Sequence, residues 1–309
     1  MTRLDSRQRT PAPLRDAIVA LGNFDGFHLG HQAVVGEAVR WGREEGRPVI
    51  VATFDPHPMR LFRPDVPWFR LTTLDQREEL FAAAGADAML VFHFDAELAG
   101  TTAEEFICTL LVDRLGAAGV VTGEDFTFGK ARAGNMDVLR RLGAGCGLRS
   151  RAVGPVMLDG EVVSSTRIRH ALRAGDCEAA TWLMTRPFAV RGIVQHGDKV
   201  GRTIDFPTAN LDMGHYLRPA YGIYAVTARL PDGRTLKGAA NLGIRPTFDP
   251  PKELLEPYFF DFAEDLYGQE IEVALVHFLR PEAKFDSLEA LTAQIARDCD
   301  EARRLLAPL

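Results

Sequence analysis

The ten residues Gly22-Asn23-Phe24-Asp25-Gly26-Phe27-His28-Leu29-Gly30-His31 constrain this chain more than any other stretch. An apolar run, Ile18-Val19-Ala20-Leu21, leads into them, and residues 32–45 leave with helical periodicity. The pattern predicts a strand, a glycine-rich turn and the start of a helix. Glycines at 22, 26 and 30 let the backbone turn sharply and approach a ligand, and the free N–H groups of a first helical turn attract anions. His28 and His31 are three apart and share one face of such a turn. Two imidazoles there can donate to phosphate oxygens as charge builds in a transition state. The rival reading, a zinc pair, needs a third ligand at metal spacing, and none follows nearby.

From residue 16 to about 152, short apolar runs alternate with amphipathic segments. Strands are expected at 17–21, 49–54, 88–94, 119–122 and 148–153, and helices at 32–45, 74–84, 103–115 and 136–142. Thr73 with Gln76, and Thr102 with Glu105, read as capping boxes. Alternating strands and helices imply a parallel, doubly wound sheet of Rossmann-like type, whose ligands bind beyond the carboxyl ends of the strands. Two further stretches would reach that edge. Thr53-Phe54-Asp55-Pro56-His57-Pro58 is a rigid turn with a ring and an imidazole, and residues 123–134 pair Phe126 with Phe128 among glycines and cations. Those rings either stack on a planar ligand or fill core, and the sequence leaves both readings open. Ser164-Ser165-Thr166-Arg167-Ile168-Arg169 opens a short helix, with hydroxyls and Arg169 available to an anion.

Pro187 begins a different texture. Short runs at 188–195, 222–230, 236–241, 258–262 and 271–279, with a Pro231-Asp232-Gly233 turn, predict a small antiparallel barrel. A terminal helix at 288–306 is introduced by Asp286 and Glu289 as a capping box. Gly197, Lys199, Gly201 and Arg202 bring glycines and cations together, and Thr208 and Asn210 flank a proline-stiffened turn whose oxygens can ligate a hard cation such as Mg²⁺. Glu256 is expected just before a strand, where it can take a proton from a hydroxyl nucleophile or simply face solvent.

The chain has 309 residues, room for two domains. A net charge of −6 without a basic run excludes a general nucleic-acid surface, and no apolar run is long enough to span a membrane. The first 13 residues lack the apolar centre of a signal peptide, so the cytoplasm is the expected compartment. The four cysteines form no C-x-x-C pair, which argues against a disulfide framework and a zinc knuckle.

Taken together, seven motifs make the chain similar to the bacterial bifunctional riboflavin kinase/FMN adenylyltransferase family, also called FAD synthetase. Four lie in the first half, at 22–31, 53–58, 123–129 and 164–169, and three in the second, at 201–210, 241–248 and 265–268. The resemblance implies an adenylyltransferase in residues 1–185 and a kinase in 186–309, with ATP, riboflavin and FMN as substrates, FAD as product and Mg²⁺ as cofactor. It implies catalytic roles for His28 and His31 in the first reaction site and Glu256 in the second. Gly22, Asn23, Phe24, Asp25, Gly30, Ser164, Ser165, Thr166 and Arg169 would hold ATP there, and Phe54, His57, Pro58, Asp125, Phe126 and Phe128 the flavin. In the kinase, Gly197, Lys199, Gly201, Arg202, Thr208 and Asn210 would lie along the phosphates, Thr208 and Asn210 would position the metal, and Arg245 would serve the phosphates or a flavin loop. The partners implied are small molecules, not nucleic acid or membrane. The pattern departs from the family at Asn135, Thr185, Asp205, Pro257 and Tyr258. An adenylyltransferase with the barrel kept as a flavin-binding or regulatory module is the alternative that the departures at 205 and 257–258 motivate.

Overall fold

A computed structural model describes residues 1–196, 206–245 and 252–308. The chain divides into two compact units: Met1–Pro67 with Thr72–Ser164, and Trp68–Leu71 with Ser165–Leu309.

The first unit is built on six parallel strands, β1 Thr2–Asp5, β2 Ala17–Leu21, β3 Val49–Asp55, β4 Ala88–His93, β5 Ala117–Gly123 and β6 Arg149–Val153, in the order β1-β4-β3-β2-β5-β6. All five residues of β2 are buried, as an unbroken apolar strand requires when both faces are covered. Ala17, Val19 and Leu21 face one core with Phe106, Ile107, Leu111 and Leu139, while Ile18 and Ala20 face another with Val35, Ala38, Trp41 and Phe81. Helix α1 (Leu29–Glu45) supplies the second core. Short α2 (Pro58–Phe62), α3 (Leu74–Ala83), short α4 (Ala96–Gly100), a π-helix (Glu105–Arg114) and α5 (Met136–Gly145) follow. Both expected capping boxes form, at Thr73/Gln76 and at Thr102/Glu105. Asn135 caps α5 by accepting from the Val138 amide at 3.0 Å, a task that Asn and Asp perform equally. A two-stranded ribbon, β7 (Met157–Leu158) with β8 (Glu161–Val162), closes the unit.

Strand β1, which pairs with β4, was not expected, and Cys108 and Cys146 are joined as a disulfide between the π-helix and α5, with Cα atoms 5.8 Å apart. The absence of a C-x-x-C spacing says nothing about two helices that pack side by side.

The second unit holds α6 (Ser165–Arg173), α7 (Cys177–Met184) and six antiparallel strands. These are β9 Phe188–Ile193, β10 Leu211–Asp212, β11 Gly222–Arg229, β12 Thr235–Arg245, β13 Lys252–Phe259 and β14 Glu270–Pro281, in the order β10-β13-β12-β11-β14-β9. The Gln195 amide donates to the Asn210 carbonyl at 2.9 Å, so the two edges meet and the sheet is a nearly closed barrel. Helix α8 (Leu288–Leu306) covers it with Cys299, Ala302 and Leu306 against Ala225, Ala239 and Phe260. Ser287, not Asp286, caps α8 by accepting from the Ala290 amide at 3.1 Å. Thr185 ends α7 in the left-handed region at φ 61°, where a β-branched residue is strained.

Candidate functional sites

In the first unit the chain runs from β2 to β3 to β4 on one side of the sheet and then crosses back to β5 and β6 on the other. The reversal opens a crevice at the carboxyl ends of β2 and β5, where such folds bind their ligands. The loop of residues 22–31 leaves β2 at that point. Phe24 and Phe27 sit in the left-handed region at φ 50° and 40°, a conformation costing on the order of 1–3 kcal/mol each. Their rings are 1% and 4% exposed, and this burial holds the backbone in place. A Cβ on Gly22 would lie 3.0 Å from the Phe24 ring, and one on Gly30 would lie 3.1 Å from the His28 ring.

His28 is the N-cap of α1, and its Nδ1 accepts from the His31 amide at 3.4 Å. A ring that accepts through Nδ1 carries its proton on Nε2. The His28 and His31 rings stack, with centroids 3.6 Å apart and planes 20° apart, and the Phe24 ring meets His31 edge-on at 5.3 Å.

Sequence reasoning missed the group that fixes this loop. Arg77 and Asp25 are each 2% exposed and paired at 3.2 Å. Arg77 also donates to the Asn23 carbonyl and Thr53 Oγ1, both at 3.2 Å, and Asp25 accepts from the Thr72 amide at 3.0 Å. Asp25 is therefore engaged beneath the loop as its support. Burial alone distinguishes Arg77 from a solvated helix arginine, and nothing in the local sequence of α3 signals it. The side-chain oxygen of Asn23 is buried and has no hydrogen-bond partner among the described residues.

Around the same sheet edge, Phe54 is 6% exposed and stacks on Phe92, with centroids 5.4 Å apart. His57 caps α2, its Nδ1 accepting from the Met59 amide at 3.2 Å, and Pro58 is the first residue of that helix. The two readings of the aromatic pair divide between its members: Phe128 is a core residue at 6% exposure, and Phe126 is half-buried and stacks on it, with centroids 5.9 Å apart. Asp125 is exposed. Ser164 ends the first unit, whereas Ser165, Thr166 and Arg169 open α6 in the second. Arg169 Nε donates to the Phe69 carbonyl at 2.9 Å, within the second unit.

Two cavities in the barrel are lined by described residues. One, of about 360 Å³, is lined among others by Phe206, Thr208, Asn241, Glu256, Tyr258 and Asp298. The other, of about 440 Å³, lies against Thr208, Phe259, Phe262, Glu264, Asp265 and Tyr267. Thr208 is the one described residue common to both linings. Glu256 lies inside β13, opposite Asn241 of β12, rather than before the strand as expected. Pro257 made the boundary look later than it is, since proline cannot donate to a ladder. Its carbonyl instead accepts from the Ala209 amide at 2.9 Å and so holds the turn that carries Thr208 and Asn210. Asn210 is 6% exposed. Tyr258 packs edge-on against Phe206 at 5.2 Å. At the far wall Asp298, 7% exposed, accepts from Arg280 at 2.9 and 2.7 Å and from Gln294 at 2.8 Å. Gly197, Lys199, Gly201, Arg202 and Asp205 lie outside the described residues, as does the side chain of Arg245.

Among the described residues no three His, Cys, Asp or Glu side chains converge as a metal site, and no helix is long and apolar enough to cross a membrane. Residues 10–167 match the family model for FAD synthetase, and residues 184–306 match the one for riboflavin kinase. The bifunctional riboflavin kinase/FMN adenylyltransferase of Escherichia coli K12 is 39% identical over 287 residues, 93% of this chain and 92% of that one. Its counterpart from Bacillus subtilis is 36% identical over 301 residues, 95% of this chain and 93% of that one. A crystal structure from Streptococcus pneumoniae, named a macrolide-efflux protein, shares the fold at a TM-score of 0.88 and 30% identity, covering 98% of this chain and 99% of that one. Both halves thus match their own family model and the relatives span nearly the whole length, so the chain belongs to the bifunctional riboflavin kinase/FMN adenylyltransferase family.

Proposed function

We propose that residues 1–185 catalyse adenylylation of FMN and residues 186–309 phosphorylation of riboflavin, in a cytoplasmic enzyme acting on small molecules. The reactions are riboflavin + ATP → FMN + ADP and FMN + ATP → FAD + pyrophosphate. Such transfers depend on positioning and charge neutralisation more than on covalent chemistry.

The observation that carries the kinase assignment is the meeting of two cavities at Thr208. Riboflavin occupies the cavity with Glu256, and ATP the one beside Tyr267. Glu256 takes the proton of the terminal ribityl hydroxyl, whose oxygen attacks the γ-phosphorus. Gly197, Lys199, Gly201 and Arg202 lie along the ADP phosphates, and Arg245 serves the phosphates or the flavin. Thr208 and Asn210 offer neutral oxygen donors, a set that suits Mg²⁺ held jointly with phosphate. Such an ion neutralises phosphate charge.

In the first site the FMN phosphate attacks the α-phosphorus of ATP. His31 and the Nε2–H of His28 donate to the crowded phosphorus group. Gly22, Asn23, Gly30 and Ser164 hold the triphosphate, with Phe24 and Asp25 shaping the loop. Phe54, His57, Pro58, Asp125, Phe126 and Phe128 form the flavin side.

The test is to incubate the purified chain with Mg²⁺ and ATP plus riboflavin, and separately plus FMN, and to resolve the flavins over time. FMN and then FAD are expected from riboflavin, with Glu256→Ala stopping the first step and His31→Ala the second. FAD from FMN without product from riboflavin would overturn the kinase assignment.

A further inference from the structure

Four adjacent barrel strands place one residue each in a single row: Glu256 on β13, Asn241 on β12, Ile223 on β11 and Arg280 on β14. All four line the 360 Å³ cavity. Directly opposed side chains share a face and stand about 5 Å apart at Cβ. The row therefore changes chemistry at each strand, from carboxylate to carboxamide to alkyl to a guanidinium already paired with Asp298 at 2.7 Å.

Asn241 is the anomalous member. Asparagine is disfavoured in strand interiors, and a buried carbonyl oxygen without a partner loses its bond to water and gains nothing in exchange. The side-chain oxygen of Asn241 is in that condition: it is buried and has no hydrogen-bond partner among the described residues. A polar group kept on a cavity wall with no protein partner among the described residues implies a ligand group that meets it.

We propose that Asn241 is a positioning and specificity residue for riboflavin, its carboxamide bonding a secondary hydroxyl of the ribityl chain and so setting the terminal hydroxyl at Glu256. The inference rests on the kinase reading above. Asn241 stands one strand from Glu256, and the groups next to the terminal hydroxyl along the ribityl chain are secondary hydroxyls. A hydroxyl both donates and accepts, so it satisfies either end of a carboxamide. The flat ring then falls over Ile223, with its polar edge toward Arg280. Selection acts on the polyol: a flavin with a methyl group in its place gains nothing from Asn241.

The test uses the full chain, with Asn241→Leu as the near-isosteric apolar variant and Asn241→Ser as the polar one. Riboflavin and lumiflavin, which lacks the ribityl chain, are the probes. Asn241→Leu should raise the KM for riboflavin about tenfold with a smaller fall in kcat, while leaving lumiflavin binding unchanged. Asn241→Ser should recover much of the riboflavin affinity. Without flavin, Asn241→Leu should unfold at the same or a higher temperature, because an unmatched polar group has been removed, and FAD formation from FMN should be unaltered. Equal losses for riboflavin and lumiflavin, or unchanged riboflavin kinetics, would overturn the proposal. If Asn241→Leu does not fold, the riboflavin-to-lumiflavin affinity ratio of Asn241→Ala decides: a fall of about tenfold supports the proposal, and a ratio equal to that of the parent chain overturns it. Absence of FMN from the unmodified chain would overturn the kinase reading, and this inference with it.

Discussion

His31 and Glu256 are fixed by opposite means. His31 follows a loop whose backbone is unfavourable at Phe24 and Phe27, clamped from below by the buried Arg77–Asp25 pair. Glu256 is a strand residue whose place is set by register with Asn241. A loop clamped from below can be disabled by a residue that never meets substrate, whereas a strand residue is displaced only by disturbing the ladder itself. In the proposed reactions the first arrangement would bring backbone close to phosphate, and the second would lie as a straight ruler along an elongated ligand.

The sharpest way to break the contrast is Arg77→Met. Leaving Asp25 buried without its partner should cost about 3–5 kcal/mol in the first unit. FAD formation should be lost while riboflavin phosphorylation persists, a split that thermal unfolding and the two assays would register. Retention of FAD synthesis would show that the loop stands without its clamp. In the barrel, Glu256→Gln should lower FMN formation by about 10²–10⁴-fold with no shift in unfolding temperature, since the ladder is untouched. A large loss of stability would instead make Glu256 structural. Thr185→Gly should stabilise the second unit by about 1 kcal/mol by relieving its left-handed backbone, leaving both activities as they were. The smallest effect concerns thiols. Burial pushes Cys177 up to about 12 and Cys299 up to about 11, so both stay protonated near neutral pH and should react with a thiol reagent only on unfolding. Because a raised value delays the thiolate, labelling should quicken as pH rises toward those values. Cys299 also lines the 360 Å³ cavity proposed to hold flavin, and riboflavin should slow its labelling further.

The sequence was most legible where one physical demand fills a whole segment. β2 matches its expected bounds because Ala17 to Leu21 is apolar without interruption, and α8 because its apolar stripe is regular. β1 escaped notice since four edge residues with only two half-buried leave no run to see. Arg77 was illegible for a different reason: its partners Asp25, Thr53 and Asn23 are brought to it by the fold from 24 to 54 positions away. The disulfide likewise joins positions 38 apart. Glu256 was recognised as chemistry but misplaced locally, because Pro257 imitates a strand boundary. Motifs carried the candidate reactive groups, while the groups that hold them emerged only from packing.

Thr208, common to the described linings of both barrel cavities, has a consequence for coupling. In the proposed kinase, water standing in the riboflavin cavity would approach the same phosphorus that the ribityl hydroxyl attacks, so Thr208 would govern how much ATP is hydrolysed without product. Removing that side chain in Thr208→Gly should raise phosphate release in the absence of flavin relative to FMN formed in its presence.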